Sequence, residues 1–474
     1  KILQDRDGKR LKEYVLEVVN DELVITDDDG ELFEYSIHNK ESQRLQETLF
    51  HEKQTIIENC LFGVDINPNS VKICRLRLWI ELLKNAYYLP TGQAGKNPTE
   101  LETLPNIDIN IKCGNSLISR FDLDADIHEA LKKSKWSIDS YRIAVGAYRN
   151  ARSKEEKHEM ERLINDIKSD FRSEISKNDP KLKKLSKLNG ELANLTTQTS
   201  MFEMGAKEKK DWTKKVEKLT KDSKKLETEI DEIKNNKIYE NAFEWRFEFP
   251  EVLNDEGDFV GFDTVIGNPP YIRQEELKEY KNQFKSVFTT YSGTADIYVF
   301  FIERGFSIMK DKGFFTYIMP NKFMQAGYGK PARQFLLANE LVEIIDFGDL
   351  QVFEEATTYP CILLAKKSEP TSSLLTLPIT TLDYQDGFSN YVNLTKGEIK
   401  QESLSEETWV ISNAEDQALL DKIKLASNPL NEFLIGEANY GIKTGLSEAF
   451  FIDEDTKQNI SNTDPISISL IKPL

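Results

Sequence analysis

The sequence contains few cysteines and few histidines. There are four of each among 474 residues, and no two cysteines form a CxxC pair. They are Cys60, Cys74, Cys113 and Cys361, and His38, His51, His128 and His158. Such scattered positions exclude a disulfide framework and a zinc site of the usual ligand spacing. We therefore expect a protein of a reducing cytoplasm that holds no metal.

Long apolar runs are also missing. No stretch approaches the roughly 20 residues that span a bilayer, and no signal segment opens the chain. The net charge is -18, which by itself argues against a nucleic-acid partner, because phosphates are neutralised by Lys and Arg. With 39% hydrophobic residues, a chain of this length predicts a soluble protein of several domains and at least one full core.

Short apolar strands alternate with helical patterns over much of the chain. A β-meander of three strands is predicted within 12–37, and a helix within 41–59. Asn67 and Pro68 supply an N-cap and a first-turn proline for a long, well-buried helix that ends near Tyr88. Further strands are LFGVD (61–65), IDINIKC (107–113), FDTVIG (262–267), GFFTYIMP (313–320), LVEIIDFG (341–348) and PCILLAKK (360–367). This alternation predicts an α/β fold with a mostly parallel sheet.

Residues 128–240 differ from the rest in composition. They carry 27 Lys and Arg against 21 Asp and Glu, within a chain that is strongly acidic. Their long helical patterns predict a coiled-coil-like arm with imperfect heptads. Two interpretations remain open: a solvated helical insertion, or a basic arm that touches a nucleic-acid backbone. The predicted domains are accordingly 1–127, the arm 128–240, 241–370 and 371–474.

One tetrapeptide follows the predicted strand FDTVIG: Asn268, Pro269, Pro270 and Tyr271. Two consecutive prolines hold the backbone stiff, and they direct its carbonyl groups outwards. The Asn268 side-chain oxygen and the Pro269 carbonyl can then accept both hydrogens of an exocyclic amino group. Tyr271 adds a flat ring on which an extruded nucleobase can stack. The alternative is a plain turn at the end of a strand.

These residues resemble a known family, the amino-group DNA methyltransferases of the γ order, through the motif [NDS]PP[YFW]. The segments NCLFGVDINPNSVKICRLRLWIELLKNA and IKCGNSLI resemble its second and third cofactor motifs, as found in single-chain type IIG restriction-modification enzymes. GFFTYIMPNKF, LVEIIDFGDLQVF and YPCILLAKK resemble its later strands, and GIKTGLSEAFFID (441–453) the entry to its target-recognition domain. The resemblance implies a Rossmann-like sheet that uses S-adenosylmethionine.

The resemblance also implies roles for single residues. Asp65, at the end of a strand, would accept hydrogen bonds from the ribose hydroxyls of the cofactor, and Ile66 would pack on its adenine. Asn115, where the family more often has Asp, would contact the adenine amino group, and Leu117 would line the ring. Phe353 would supply a second surface against the flipped base. The alternatives are a helix-capping acid at Asp65 and a core phenylalanine at Phe353. Asn268 would lie beside the cofactor as well as the base.

The first cofactor motif of that family, a glycine-rich loop, is missing. Before Gly63 the only glycines are Gly8 and Gly30, and neither belongs to a GxG sequence. The order of the motifs places the loop before Lys1, so we expect a chain truncated at both ends. Such a piece would bind S-adenosylmethionine weakly and would be inactive alone.

The resulting prediction is a site-specific adenine-N6 DNA methyltransferase of a restriction-modification or phage-defence system, acting on double-stranded DNA with a flipped base. It needs no metal and no membrane. The alternatives are a cytosine-N4 enzyme and a non-catalytic DNA-binding or assembly subunit. A nuclease site at Asp383, Glu398 and Lys400 is a further alternative, because that spacing suits magnesium.

Overall fold

The structure is a computed structural model. In it the chain forms two compact units, 1–413 and 414–474. The structure describes residues 14–19, 22–27, 29–89, 100–123, 128–178, 180–197, 205–235, 237–353, 358–384, 387–411, 419, 422–423, 425–428 and 454–463. The second unit includes a helix of ten residues, Glu454–Thr463. The predicted recognition-domain entry, 441–453, lies outside the described residues.

Ten strands of the first unit are described. They are β1 Tyr14–Val19, β2 Glu22–Asp27, β3 Gly63–Asp65, β4 Ile111–Cys113, β5 Phe262–Gly267, β6 Met309–Pro320, β7 Glu340–Asp346, β8 Pro360–Lys366, β9 Ser373–Pro378 and β10 Gly397–Lys400. β1 and β2 form an antiparallel hairpin, β3 and β4 a parallel pair, and the other six a sheet of order β10-β9-β7-β8-β6-β5.

Twelve helices of the first unit are described. They are α1 Lys40–Cys60, α2 Pro68–Leu83, α3 His128–Lys133, α4 Ile138–Arg149, α5 Lys154–Asn178, α6 Pro180–Thr197, α7 Ala206–Asn235, α8 Trp245–Glu248, α9 Lys281–Val287, α10 Tyr298–Ser307, α11 Lys330–Leu337 and α12 Phe388–Thr395. No described helix is long and apolar enough to cross a membrane.

Local signals explain where α1 and α2 begin. The Asn39 side chain accepts hydrogen bonds from the amides of Glu41 and Ser42, and the Asn67 side chain accepts one from Asn69. Each satisfies backbone donors that the first helical turn leaves free. Pro68 begins α2, where its missing N–H costs nothing. The predicted cap at Asn67 is therefore confirmed.

The six-stranded sheet is mixed, which corrects the expectation of a mostly parallel one. β8 runs antiparallel to both β6 and β7, and β10 antiparallel to β9. Only the β5–β6 and β7–β9 pairings are parallel. The connection from β7 to β8 carries no described helix, and parallel neighbours need a long crossover that is usually helical, so the antiparallel pairing of β7 and β8 follows. The α/β class itself is confirmed.

Two further expectations need correction. The predicted three-stranded meander has two strands, and its third segment makes only an isolated bridge between Thr26 and Leu32. Helix α2 is not well buried: of its apolar residues only Val71 and Leu82 are buried. Four others, Ile73, Leu76, Ile80 and Leu83, are about half exposed. No described element covers that face, so its apolar composition did not produce burial.

The main core lies on the six-stranded sheet. Helix α10 contributes Val299, Phe300 and Ile302, and the strands contribute residues such as Phe315 and Leu363, all of them at most 1% exposed. A smaller core holds α4 and α5 together. The largest apolar burial is therefore concentrated around β6, β7 and β8.

Candidate active site

A cleft of about 690 Å³ opens between two strand edges. One side, here called the short wall, consists of β3 and β4. The other, here called the long wall, is β5. β3 pairs only with β4 and β5 only with β6 among the described residues, so each presents its other edge to the cleft. At the start of these strands the rings of Phe62 and Phe262 lie 5.7 Å apart and connect the two walls.

Asp65 ends the short wall. Its side chain is exposed and lines the cleft, and its Oδ1 accepts a hydrogen bond from the Asn67 amide at 2.7 Å. The cap of α2 is Asn67 rather than Asp65, so capping does not explain the acid. The other carboxylate oxygen stays available to a ligand. Ile66 follows it, 59% exposed and also lining the cleft.

Asn115 follows β4 and also lines the cleft. Its side-chain Oδ1 accepts a hydrogen bond from the Leu117 backbone amide at 3.2 Å. The backbone amide of Asn115 donates to the Asn241 carbonyl at 2.7 Å. A carbonyl oxygen has two lone pairs, so one acceptor position remains. The residue before it, Gly114, has no room for a side chain, because a Cβ there would lie 2.8 Å from the Phe243 ring. The loop is thus held close to the protein while Asn115 faces the cleft.

The structure places Leu117 differently from the expectation. Its side chain is 2% exposed and belongs to the main core, and it is not among the residues that line the cleft. The loop after Asn115 turns inwards and carries Leu117 beneath the sheet. Its predicted contact with a cofactor ring is therefore corrected: Leu117 supports the loop from inside.

Asn268 ends the long wall, and its exposed side chain lines the cleft. The Tyr271 hydroxyl donates a hydrogen bond to its Oδ1 at 3.1 Å. Burial raises the pKa of Tyr271, so this hydroxyl keeps its proton at neutral pH and remains a donor. The arrangement fixes the orientation of the Asn268 amide and leaves its second lone pair free.

The two prolines divide between core and surface. Pro269 is buried, Pro270 is exposed, and both line the cleft. Gly267, directly before Asn268, has the Tyr317 ring where a side chain would be, at 2.8 Å from an added Cβ. The stiff segment therefore leaves the strand over an aromatic support. Tyr271 is half-buried, and it is not itself among the cleft-lining residues.

Phe353 lies apart from this group. It is half-buried, directly precedes the undescribed residues 354–357, and does not line the cleft. The structure therefore does not bring it together with Asn268, and its predicted contact with a flipped base is not supported by its position.

Sequence reasoning missed Arg304, on α10. It is 9% exposed and lines the cleft. One Nη donates to the Leu117 carbonyl at 3.2 Å, whereas the buried Nε has no hydrogen-bond partner among the described residues. Burial lowers the pKa of Arg304. The signal available in the sequence was a cation within the apolar run YVFFIERGFS. Arg304 connects α10 to the loop that carries Asn115.

A largely buried charge cluster, here called the Glu248 cluster, lies behind the short wall, and only its Arg172 side chain is substantially exposed. Lys112 of β4 and Lys168 of α5 lie 3.0 Å and 2.6 Å from the same Glu248 oxygen, and Arg172 lies 3.3 Å from the other. Burial by itself raises the pKa of Glu248. The ammonium groups of Lys112 and Lys168 outweigh that effect and lower the pKa to about 2. Desolvation and the repulsion of Lys168 lower the pKa of Lys112 to about 7.

The residues of the alternative nuclease site are not brought together with other metal ligands. No group of three His, Cys, Asp or Glu residues within the described part of the chain could hold a metal ion. Glu398 accepts a hydrogen bond from the Ser373 hydroxyl at 2.6 Å on the edge strand β10.

The sequence model of a family described as Eco57I restriction-modification methylase matches residues 59–353. The chain is 30% identical over 216 residues to the type II restriction enzyme and methyltransferase RM.Eco57I of Escherichia coli, and this covers 42% of the chain and 20% of that protein. It is 29% identical over 218 residues to the type II methyltransferase M.BstVI of Geobacillus stearothermophilus, covering 42% and 39%.

A solved structure gives a weaker likeness. The type IIG restriction endonuclease BpuSI matches at 19% identity and a TM-score of 0.23, over 28% of the chain and 18% of that protein. The chain thus spans well under half the length of these relatives.

Proposed function

Because the chain belongs to the Eco57I restriction-modification methylase family, we propose that it is the methyltransferase part of a restriction-modification protein that methylates the N6 amino group of adenine in DNA. The observation that carries the proposal is the exposed Asn268 amide, which shares one cleft with Asp65 and Asn115. The names of the relatives, a restriction enzyme with methyltransferase and a methyltransferase, support the reaction class.

The cleft fits S-adenosylmethionine in size and in chemistry. Its volume of about 690 Å³ lies within the roughly 300 to 1,000 Å³ of small-molecule sites. An exposed carboxylate at Asp65 suits ribose hydroxyls, exposed Ile66 suits an adenine face, and Asn115 retains an acceptor for an amino group. When bound, the cofactor supplies a methyl group on a sulfonium, which is already activated. No metal is needed for that chemistry.

The long wall holds the target amino group. The second lone pair of the Asn268 oxygen and the Pro269 carbonyl accept its two hydrogens, which favours a pyramidal nitrogen with its lone pair free for attack. The Tyr271 hydroxyl holds the Asn268 amide in place before the base arrives. This preorganisation lowers the orientational cost of the reaction. The base itself must leave the duplex to reach the cleft.

Adenine is proposed over cytosine because the tetrapeptide is Asn-Pro-Pro-Tyr. In the family that the motifs resemble, this form is commoner among adenine enzymes and Ser-Pro-Pro among cytosine-N4 enzymes.

The test is methyl transfer to duplex DNA by the full-length natural protein, as the wild type and as its Asn268→Ala variant. DNA recovered after reaction with labelled S-adenosylmethionine is digested to nucleosides and analysed by mass spectrometry. We expect N6-methyladenine from the wild type and a rate about 10²- to 10³-fold lower from the variant, the size of effect seen when one preorganised polar contact to a reacting group is removed. Asn282→Ala, an exposed asparagine on α9, is the matched control and should keep wild-type activity.

Each other outcome has a distinct meaning. Equal activity of the wild type and Asn268→Ala would contradict the role of the amide. N4-methylcytosine in place of N6-methyladenine would contradict the choice of base. Absence of product from both would favour the non-catalytic DNA-binding or assembly subunit.

A further inference from the structure

The distal part of the helical arm, α6 and α7, is a regular two-helix hairpin. On α7 the less exposed residues recur at alternating intervals of four and three, the period of a coiled-coil seam. They are Trp212, Val216, Leu219, Ser223, Leu226 and Ile230. On α6 the corresponding residues are Leu185, Leu188, Leu192 and Leu195. The heptads are thus more regular in this part than the sequence indicated.

Two polar contacts fix how these helices align. The Ser223 hydroxyl donates to the Asn189 side chain at 2.5 Å, and the Trp212 indole N–H donates to the Leu195 carbonyl at 3.3 Å. The partner number on α7 rises as that on α6 falls, so the helices run antiparallel. Ser223 lies in the α7 seam, so its hydrogen bond to the edge residue Asn189 specifies the register of the two helices. The outward face of α7 is therefore held in a defined orientation.

That outward face carries a row of lysines, here called the lysine stripe. Its six members are separated by three or four residues, so they project from one side of the helix. They are Lys207, Lys210, Lys214, Lys218, Lys221 and Lys225, and all are exposed. Among the residues that the structure describes, none of the six forms an ion pair. The stripe extends over about 27 Å at 1.5 Å per residue.

The positive charge is confined to this part of the arm. Residues 180–225 contain 13 Lys against 6 Asp and Glu, in a chain of net charge -18. The α5 sequence at the base of the arm contains 6 Lys and Arg against 7 Asp and Glu. A solvated helix needs no such segregation, since mixed charges keep a surface soluble. The distribution matches a partner that is an extended polyanion.

We propose that the lysine stripe binds the phosphate backbone of double-stranded DNA. The choice of DNA as the polyanion rests on the proposed function. The charge and the geometry of the stripe are independent of that function. Lysine ammonium groups are mobile point charges, which contact phosphates without reading sequence. The stripe gives a locally positive surface to a protein whose overall charge repels DNA, and it lengthens the contact beyond the cleft.

The experiment measures binding of the whole chain to a duplex of about three helical turns and arbitrary sequence, without methyl donor, by fluorescence anisotropy over a range of salt concentrations. The stripe variant replaces Lys210, Lys214, Lys218 and Lys221 with Gln. The control variant replaces four exposed lysines elsewhere with Gln, so that it changes the net charge equally: Lys133, Lys135, Lys154 and Lys312. Glutamine is a good helix former, and circular dichroism should confirm that helix content is unchanged.

In the stripe variant we expect the slope of log binding constant against log salt to become shallower by about 3 to 4, with weaker binding at low salt. The control variant should match the wild type. Equal weakening of both variants would show a general charge effect and overturn the proposal, as would an unchanged slope in the stripe variant. Wild-type protein that binds an acidic polypeptide but not the duplex would overturn it in favour of a protein partner. Because no methyl donor is present, these outcomes are independent of the Asn268 test.

Discussion

The two walls of the cleft are stabilised in different ways. The long wall, β5, is the edge strand of a six-stranded sheet whose other strands carry the main apolar core, against which Val265 of β5 packs. The short wall consists of two strands of three residues each. Behind it lie the Glu248 cluster and helix α2, one face of which is apolar and exposed. The short wall therefore depends on a few specific contacts, whereas the long wall belongs to a sheet with a large apolar core. Three predictions test that difference.

The largest expected loss of stability follows from a substitution in the Glu248 cluster. Glu248→Ala leaves the ammonium groups of Lys112 and Lys168 without their shared anion, and breaking a buried ion pair in this way costs about 3 to 5 kcal/mol. Asp263→Ala is the control on the long wall: Asp263 pairs with Lys310 but is 85% exposed, so its loss should cost at most about 1 kcal/mol. Urea unfolding followed by circular dichroism compares them. Similar costs would mean that the cluster contributes no more than a surface pair.

The second prediction concerns the two faces of α2. Leu82 is fully buried and Leu76 is 54% exposed. Leu82→Ala should lower the free energy of unfolding by about 2 to 5 kcal/mol, and Leu76→Ala by less than about 0.5 kcal/mol. The same urea titration measures both. A large cost at Leu76 would show that its face is covered in solution, and the short wall would then resemble the long wall.

The smallest effect is a dependence on pH. The folded pKa of Lys112 is about 7, below its unfolded value of about 10.4, so between these values the unfolded state binds more protons and stability rises with pH. The gain is at most about 1.4 kcal/mol per pH unit.

Lys112→Met should remove this rise between about pH 7 and pH 9, which urea midpoints at each pH will show. Lys310→Met, in the exposed pair on the long wall, should keep it. A wild-type slope in Lys112→Met would contradict the prediction. Glu248 acts in the acid range: its stabilisation is lost as pH falls from about 4.5 towards its folded pKa of about 2.

Much of the site was predictable because it depends on neighbours in the chain. Asp65 and Asn268 were placed at strand ends facing a common cleft, and the structure puts both there. The family prediction is confirmed by the match over residues 59–353. The tetrapeptide provided the strongest signal, since proline restricts the backbone wherever it occurs.

The positions of other residues could not be predicted, because they depend on contacts between distant parts of the chain. Leu117 was expected in the cleft but lies in the core, because the loop after Asn115 turns inwards. Arg304 lies 187 residues from the Leu117 carbonyl that it contacts, and no local pattern indicates that pairing. The apolar composition of α2 predicted burial, but composition does not specify which elements lie nearby.

The sequence by itself determined the caps, the stiff Asn-Pro-Pro-Tyr segment, the α/β class and the helical arm. Each of these follows from steric and hydrogen-bonding rules that act over a few residues. Only the tertiary structure decided the mixed strand order, the exposed face of α2 and the contact of Lys112 with Glu248, 136 residues away. These features depend on which surfaces come into contact after the chain has closed long loops. Burial and charge compensation arise from those contacts, so the local sequence does not specify them.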